Sequence, residues 1–128
     1  MSLRGIGTDL VAVGRVEALL GRHGSRFLAR CFRPGEVADG SDAPARRDLA
    51  AHVAGRWAVK EACLKALGGD LRGIPYRDIE VRTSAGGAPE VVLHGRAAAA
   101  LAASGGRHIL ASISHERDLA VGFVVIED

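Results

Sequence analysis

The sequence has few cysteines and no long apolar run. Its 128 residues include only two cysteines, Cys31 and Cys63, which show no metal-binding spacing. No apolar stretch approaches the roughly 20 residues that a membrane-spanning helix needs. The first ten residues, MSLRGIGTDL, lack the long apolar segment of a secretory signal peptide. These features predict a cytoplasmic protein with reduced thiols and no membrane partner.

Aromatic residues and net charge are also low. Only 4% of the residues are Phe, Trp or Tyr, which is little for a surface that stacks on nucleic-acid bases. The 17 basic and 15 acidic residues leave a net charge of +2, too small to indicate a nucleic-acid partner by itself. No G-x-x-x-x-G-K-S/T motif occurs, which disfavours a P-loop nucleotide enzyme. With few aromatic side chains, alanine and glycine must fill much of the core, so close helix contacts or contacts between subunits are expected.

What is present predicts one α+β domain over residues 1–128. Apolar residues at helical spacing predict helices at 11–20, 25–32, 49–67 and 95–104. Alternating apolar residues predict strands at 3–10, 78–82, 90–94, 108–114 and 119–127. The polar stretch 36–47 is expected to be a mobile loop. Since helices come early and strands cluster late, the pattern favours a mainly antiparallel sheet packed on the long central helix.

The long helix carries charged residues among packed apolar ones. Its narrow stripe of small side chains, at which another backbone can approach closely, consists of Ala58, Ala62 and Ala66. Glu61 and Lys65 flank that stripe one turn apart, with Cβ atoms roughly 5–6 Å from each other. One interpretation is an exposed ion pair that contributes about 0.3 kcal/mol. The other is a site that holds a metal ion and phosphates.

Asp9 favours the second interpretation. It stands where the first strand gives way to a helix, so its carboxylate comes from a different element than that of Glu61. Mg²⁺ binds through oxygen, takes one or two carboxylates and keeps several waters. Two carboxylates, Lys65 and nearby arginines are therefore compatible with a Mg²⁺–pyrophosphate site. The spacing alone leaves open whether the two carboxylates meet.

Three stretches resemble the motifs of one family. GIGTDLVAVGRV at 5–16 resembles its opening G-x-G-x-D motif, which is followed by an arginine, and GRWAVKEACLKALG at 55–68 resembles its W/F-A-x-K-E-A-x-x-K-A-x-G motif. ASISHERDLAVGFVVIE at 111–127 resembles its closing S-hydrophobic-S/T-H strand and turn. In order and spacing they are similar to the 4′-phosphopantetheinyl transferases, specifically the small holo-acyl-carrier-protein synthase type.

This resemblance implies a reaction, a cofactor and partners. Phosphopantetheine would move from coenzyme A to a serine of an apo acyl carrier protein, with release of 3′,5′-ADP, in fatty acid or polyketide biosynthesis. The resemblance also implies the 4′-phosphopantetheinyl transferase fold, dependence on Mg²⁺, an acidic carrier protein as partner, and a homotrimer with active sites at the subunit interfaces. The identity of the carrier protein stays open.

Site residues are assigned by position within the resembling motifs. Asp9 and Glu61 match the metal ligands, and Lys65 matches a catalytic lysine beside the pyrophosphate. The positions that match contacts to coenzyme A are Arg56, Lys65, Gly87, Pro89, Ser114 and His115. The positions that match the face for the acidic carrier helix are Arg15, Arg26, Phe27 and Arg30. Ala88 stands where the family usually has lysine in a Gly-Lys-Pro turn, so a contact from that side chain is in question.

Several alternatives remain at this stage. Glu61 is the first candidate for the base that takes the serine proton, directly or through a metal-bound water; the alternative is a water activated by the metal without a protein base. His115 can be read as a solvated turn histidine, and the arginines as an ordinary solvated face. A small nucleic-acid-binding domain would use the same arginines but should carry more net charge. A catalytically silent relative should have lost Asp9, Glu61 or Lys65, and all three are present.

Overall fold

The computed structural model describes residues 1–37, 46–68 and 73–128, apart from the side chains of residues 46 and 47. The helices are α1 (Val13–His23), α2 (Ser25–Cys31), α3 (Arg46–Leu67) and α4 (Gly95–Ala103), and a short 3₁₀ turn covers Tyr76–Asp78. The strands are β1 (Leu3–Ala12), β2 (Ile79–Thr83), β3 (Pro89–Leu93), β4 (His108–Glu116) and β5 (Leu119–Glu127). None of the helices in these ranges has the length and apolarity required to cross a bilayer.

All strand pairs are antiparallel within the described residues. β5 lies in the middle of a three-stranded sheet between β1 and β4, and β2 and β3 form a separate hairpin. The predicted α+β class with a mainly antiparallel sheet is confirmed. β1 continues to Ala12, two residues beyond its predicted end, because its last residues pair with the start of β5, where Ala12 lies opposite Leu119. Helix α1 therefore begins at Val13 and not near Val11.

The alanine stripe of α3 packs directly against the backbone of the three-stranded sheet. Its three alanines are no more than 5% exposed. A Cβ atom at Gly7 of β1 would overlap the carbonyl oxygen of Ala62, and one at Gly122 of β5 would overlap the backbone of Ala58. No side chain separates helix from sheet at these points. Glycine is required here for close approach, and the approach brings the side chains that flank the stripe to the edge of β1.

A buried ion pair holds the chain after α2 against α3. Glu36 is 7% exposed and Lys60 fully buried, and their Nζ and Oε2 atoms lie 2.9 Å apart. Glu36 also accepts hydrogen bonds from the backbone N–H groups of Arg33 and Val81. Because a buried charge is stable only with such partners, Glu36 is fixed in place. The prediction that a mobile loop begins at Glu36 is therefore wrong for that residue; residues 38–45 of the predicted loop lie outside the described ranges.

The sheet face that points away from α3 is apolar and exposed. Its most exposed large side chains, between 40% and 64% accessible, are Ile6, Leu10, Leu110, Leu119 and Phe123. The register places Val125 between Ile6 and Leu110, so in this row apolar side chains reach across all three strands, and Phe123 and Leu119 continue them along β5. Contiguous apolar patches of this kind mark protein–protein contacts. We refer to this patch as the outer sheet face.

Candidate active site

Asp9 and Lys65 form the first part of the candidate site. The Lys65 ammonium lies 3.0 Å from Oδ1 of Asp9 and also donates a 2.9 Å hydrogen bond to the carbonyl oxygen of Thr8. The Lys65 side chain is 56% exposed and that of Asp9 is 21% exposed. An ion pair this open contributes little to folding. It instead leaves a carboxylate and an ammonium accessible at one point on the surface.

Glu61 lies one helical turn before Lys65 on the same side of α3. The strand register places Asp9 beside Gly122, whose backbone lies against Ala58, one turn before Glu61. The two predicted carboxylates therefore occupy the same edge of the helix–sheet contact, with Lys65 reaching from the turn after Glu61 back to Asp9. The structure shows the contact between Lys65 and Asp9 directly, and Glu61 is placed near them by its position one turn before Lys65 on α3.

The Glu61 carboxylate accepts a hydrogen bond from the hydroxyl of Tyr76 at Oε1. Burial, the hydrogen bond to Glu61 and its negative charge raise the pKa of Tyr76 to about 12. The hydroxyl therefore stays protonated near neutral pH and acts as a donor. A carboxylate offers about four lone-pair positions, so the one bond from Tyr76 leaves Glu61 able to accept further partners.

The donor set of this site fits Mg²⁺. Asp9 and Glu61 supply hard oxygen ligands from two elements, and no group of three or more Asp, Glu, His or Cys side chains suited to a metal occurs among the described residues. Mg²⁺ is characteristically bound through one or two carboxylates, with waters and substrate phosphates completing the coordination. A zinc or calcium site would need more protein ligands than these two.

Arg56 lies on a different side of α3 from Glu61. It is 9% exposed, its Nη2 donates a 2.6 Å hydrogen bond to the Thr83 hydroxyl, and its Nε has no hydrogen-bond partner within the described residues. Burial lowers its pKa, an effect that the charge of Glu36 opposes. Thr83 pairs with Pro89 across the β2–β3 hairpin. The structure thus places Arg56 beside the hairpin that carries Gly87, Ala88 and Pro89.

Ser114 and His115 lie apart from the carboxylates. Ser114 is exposed on the outer sheet face, where the register aligns it with Val121 and Leu10. The His115 ring points the other way and lies 2.9 Å, through Nε2, from the carbonyl oxygen of Ala51 on α3. Within one chain, the predicted substrate-binding residues therefore fall into separate groups.

The residues predicted to receive the carrier protein border one groove, except for Arg15. The groove has a volume of about 540 Å³ and is lined by Leu19, His23, Arg26, Phe27 and Arg30. Phe27 is only 9% exposed and packs in the core, so it can offer a partner no more than an edge at the floor of the groove. Arg15 lies over the ring of Trp57, 5.1 Å from its centroid.

A row of aromatic rings connects this groove with the carboxylates. The Phe27 and Trp57 centroids are 5.4 Å apart, and those of Trp57 and Tyr76 are 6.3 Å apart. Both pairs are edge-to-face, the arrangement that aromatic rings prefer. Since Tyr76 donates to Glu61, the groove and the candidate metal site are joined by rigid packing. Trp57 itself is 8% exposed and lies in the core.

Sequence reasoning missed Glu36, Lys60, Tyr76 and Thr83. Lys60 offered a signal, since a lysine between buried valine and alanine positions of a helix requires a buried partner. The partner, Glu36, is 24 residues away along the chain, and nothing in the spacing identifies it. Tyr76 follows a proline in a stretch without clear periodicity, where the sequence pattern carries no indication of a contact with Glu61.

Comparisons with known proteins identify relatives of this chain. A holo-[acyl-carrier-protein] synthase of Nitratidesulfovibrio vulgaris is 45% identical over 124 residues, which cover 96% of this chain and 97% of the relative. The crystal structure of the Neisseria meningitidis holo-[acyl-carrier-protein] synthase aligns with a TM-score of 0.82 at 33% identity, covering 99% of this chain and 100% of the other.

A third comparison includes a bound ligand. The Helicobacter pylori holo-[acyl-carrier-protein] synthase, whose structure was solved in complex with coenzyme A, aligns with a TM-score of 0.78 at 31% identity and covers 95% of this chain and 99% of the other. Residues 5–124 match the family model of the 4′-phosphopantetheinyl transferase superfamily. The resemblance seen in the three sequence motifs is thereby confirmed, and the chain belongs to the 4′-phosphopantetheinyl transferase superfamily.

Proposed function

We propose that the chain transfers the 4′-phosphopantetheine group of coenzyme A to a serine of an apo acyl carrier protein, with Mg²⁺ held by Asp9 and Glu61. The products are the holo carrier protein and 3′,5′-ADP. The transfer is the activity for which the relatives are named, and one of their structures holds coenzyme A. The observation that supports the metal assignment is the ion pair of Asp9 with Lys65 at an accessible edge of α3 and β1, with Glu61 one helical turn before Lys65 on the same side of α3.

The reaction determines what these side chains do. Phosphoryl transfer depends on positioning and charge neutralisation more than on covalent help from the protein. Lys65 places a positive charge beside the pyrophosphate, where negative charge develops as 3′,5′-ADP leaves. Glu61 takes the proton of the serine hydroxyl as it attacks the β-phosphorus, since its carboxylate keeps lone pairs beyond the one used by Tyr76. Mg²⁺, when bound, neutralises pyrophosphate oxygens and stabilises the leaving group.

The remaining substrate contacts belong to the other groups of residues. Arg56, beside the turn of Gly87 and Pro89, supplies a guanidinium for the phosphates of coenzyme A. The turn is closed by a hydrogen bond from Ser84 N to the carbonyl oxygen of Ala88, so it presents backbone to the adenine whatever the side chain at position 88. Ser114 and His115 complete the contacts in the assembled enzyme.

That assembly is a homotrimer formed through the outer sheet face. Three features support it: the apolar patch across β1, β5 and β4, the low aromatic content of the core, and the position of Ser114 on this face. Residues that lie apart within one chain can meet across such an interface. The active sites then lie where neighbouring subunits join.

The enzyme acts in the cytoplasm on an acidic carrier protein. Cys31 and Cys63 are both free and buried, as expected for a reducing compartment. The groove bordered by Arg26 and Arg30 carries the positive charge that an acidic helix would recognise, and the aromatic row leads from it to Glu61.

The transfer and its metal dependence are tested together by mass spectrometry. An apo acyl carrier protein incubated with coenzyme A, Mg²⁺ and the enzyme should gain the mass of one phosphopantetheine group. The gain should disappear with excess chelator and return when Mg²⁺ is restored. An equal gain under chelation would contradict the metal assignment, and no gain with any acidic carrier would contradict the activity.

The carrier-binding groove predicts a salt dependence. At saturating coenzyme A, the KM for the carrier protein should rise several-fold between low salt and about 0.3 M NaCl, because screening weakens attraction between the arginines and an acidic helix. Arg26→Gln should raise the KM at low salt and flatten its dependence on salt. Arg107→Gln, which removes an exposed arginine that does not line the groove, is the matched control. A KM that does not respond to salt would exclude the groove as an electrostatic docking site.

A further inference from the structure

Two consecutive residues of α3 hold Tyr76 at its two ends. The Lys60 ammonium donates a 3.0 Å hydrogen bond to the Tyr76 carbonyl oxygen, and the Glu61 carboxylate accepts the hydrogen bond from the Tyr76 hydroxyl. The side chains of neighbouring helical residues point about 100° apart. Tyr76 therefore lies along the surface of α3, with its carbonyl group at Lys60 and its hydroxyl at Glu61. The backbone and the hydroxyl of Tyr76 are thus both held by the same turn of α3.

The attachment at Lys60 is rigid. Lys60 is fully buried and is held by Glu36 as well as by the carbonyl oxygens of Tyr76 and Ile79, the latter at 2.5 Å. Burial lowers the pKa of Lys60, whereas the charge and hydrogen bond of Glu36 raise it. With every contact satisfied, the ammonium fixes the start of β2 against the helix.

The segment around Tyr76 is also fixed from its other sides. Its ring packs edge-to-face on Trp57, with an interplanar angle of 84°. Asp78, two residues on, accepts a 2.9 Å hydrogen bond from the backbone N–H of Arg96 in the first turn of α4. Arg96 in turn donates to the carbonyl oxygen of Gly73. The position of the Tyr76 hydroxyl is therefore fixed by contacts that do not involve Glu61.

From this geometry we propose that Tyr76 is a positioning residue for Glu61: its hydroxyl fixes the orientation of the carboxylate that binds the metal ion and receives the serine proton. The inference rests on the proposed function of Glu61. A glutamate carboxylate rotates freely about its last torsion, which is broad and roughly two-fold, so an unsupported Glu61 samples many directions. A donor fixed on Oε1 restricts this rotation and leaves the remaining lone pairs of the carboxylate for the metal ion and the serine proton.

A hydrogen bond that orients a metal-ligating group has a measurable effect on metal affinity and activity. Loss of a hydrogen bond to a ligating group typically costs 10–100-fold in metal affinity or activity. Tyr76→Phe removes the hydroxyl and keeps the ring that packs on Trp57. We expect it to weaken Mn²⁺ binding about tenfold and to lower kcat about tenfold. The KM for coenzyme A should change less than about twofold, because neither Arg56 nor the hairpin turn contacts the hydroxyl.

The test measures Mn²⁺ binding by electron paramagnetic resonance of the free ion, with steady-state kinetics and thermal melting on the same preparations. Ser104→Ala is the matched control, since it also removes one partly buried hydroxyl. The Ser104 hydroxyl lies at the end of α4, where it donates a hydrogen bond to the carbonyl oxygen of Leu101. Weaker Mn²⁺ binding and lower kcat in Tyr76→Phe alone, with melting unchanged, supports the inference. Equal Mn²⁺ binding in wild type and Tyr76→Phe overturns it and leaves the metal site standing. A wild type that binds no Mn²⁺ overturns both the metal site and this role of Tyr76.

Discussion

Replacing Asp9 with Asn or Glu61 with Gln is expected to lower kcat for phosphopantetheine transfer about 10³-fold while the protein stays folded. Each change preserves the size of the side chain and removes the negative charge that attracts a divalent ion. The ion pair of Asp9 with Lys65 is too exposed to contribute more than about 1 kcal/mol to folding. The measurement is the single-turnover rate of carrier modification, with circular dichroism to confirm the fold.

The matched control for these carboxylates is Glu127→Gln. Glu127 lies at the far end of β5, opposite Leu3 and His108. Its replacement with Gln is the same chemical change as at Glu61, made away from the candidate site. It should keep near-normal rates. If Asp9→Asn or Glu61→Gln also keeps a near-normal rate, the metal assignment is wrong for that residue.

Phe123→Lys is expected to dissociate the proposed homotrimer and to abolish most of the activity. Phe123 lies on the central strand of the outer sheet face, between Thr8 and Ser112 in the register. Burying an aromatic side chain of this size stabilises an interface by about 1.5–3 kcal/mol, and a lysine in its place must lose its hydration instead. Because the effect would be repeated in every subunit, one substitution should suffice.

Light scattering during size-exclusion chromatography measures this effect. The wild type should elute with three times the 13.3 kDa mass of one chain, and Phe123→Lys with the mass of a single chain. Ala99→Lys, which adds a lysine to the exposed surface of α4, should remain trimeric. A wild type that runs as a fully active monomer would contradict the proposed role of the outer sheet face.

Helices and strands with a clear periodicity of apolar residues were predictable from the sequence, whereas the residues at which they begin and end were less predictable. The hairpins at 78–94 and 108–127 follow from alternation on both sides of turn residues, which is a local signal. The end of β1 depends on pairing with β5, more than 100 residues away, and no local pattern reports it. The first two residues of α3, at 46 and 47, were assigned to the loop because they end a polar stretch, and the helix was predicted to begin near Leu49.

The candidate site was predictable in its parts but not in its assembly. Asp9, Glu61 and Lys65 came from their chemistry and from the resemblance, and the alanine stripe correctly indicated a close backbone approach. The approaching backbone belongs to β1 and β5, at Gly7 and Gly122, and only the tertiary structure shows this. The burial of Arg56 and Phe27 was not foreseen, because charge and motif position say nothing about which face of an element is covered.

The most direct test of the proposed metal ion is anomalous diffraction from crystals grown with Mn²⁺ and coenzyme A. One strong peak should lie within about 2.3 Å of carboxylate oxygens from both Asp9 and Glu61, with pyrophosphate oxygens of the ligand on its open side. A peak that contacts only one of the two carboxylates, or neither, would contradict the assignment of a single divalent ion held between β1 and α3.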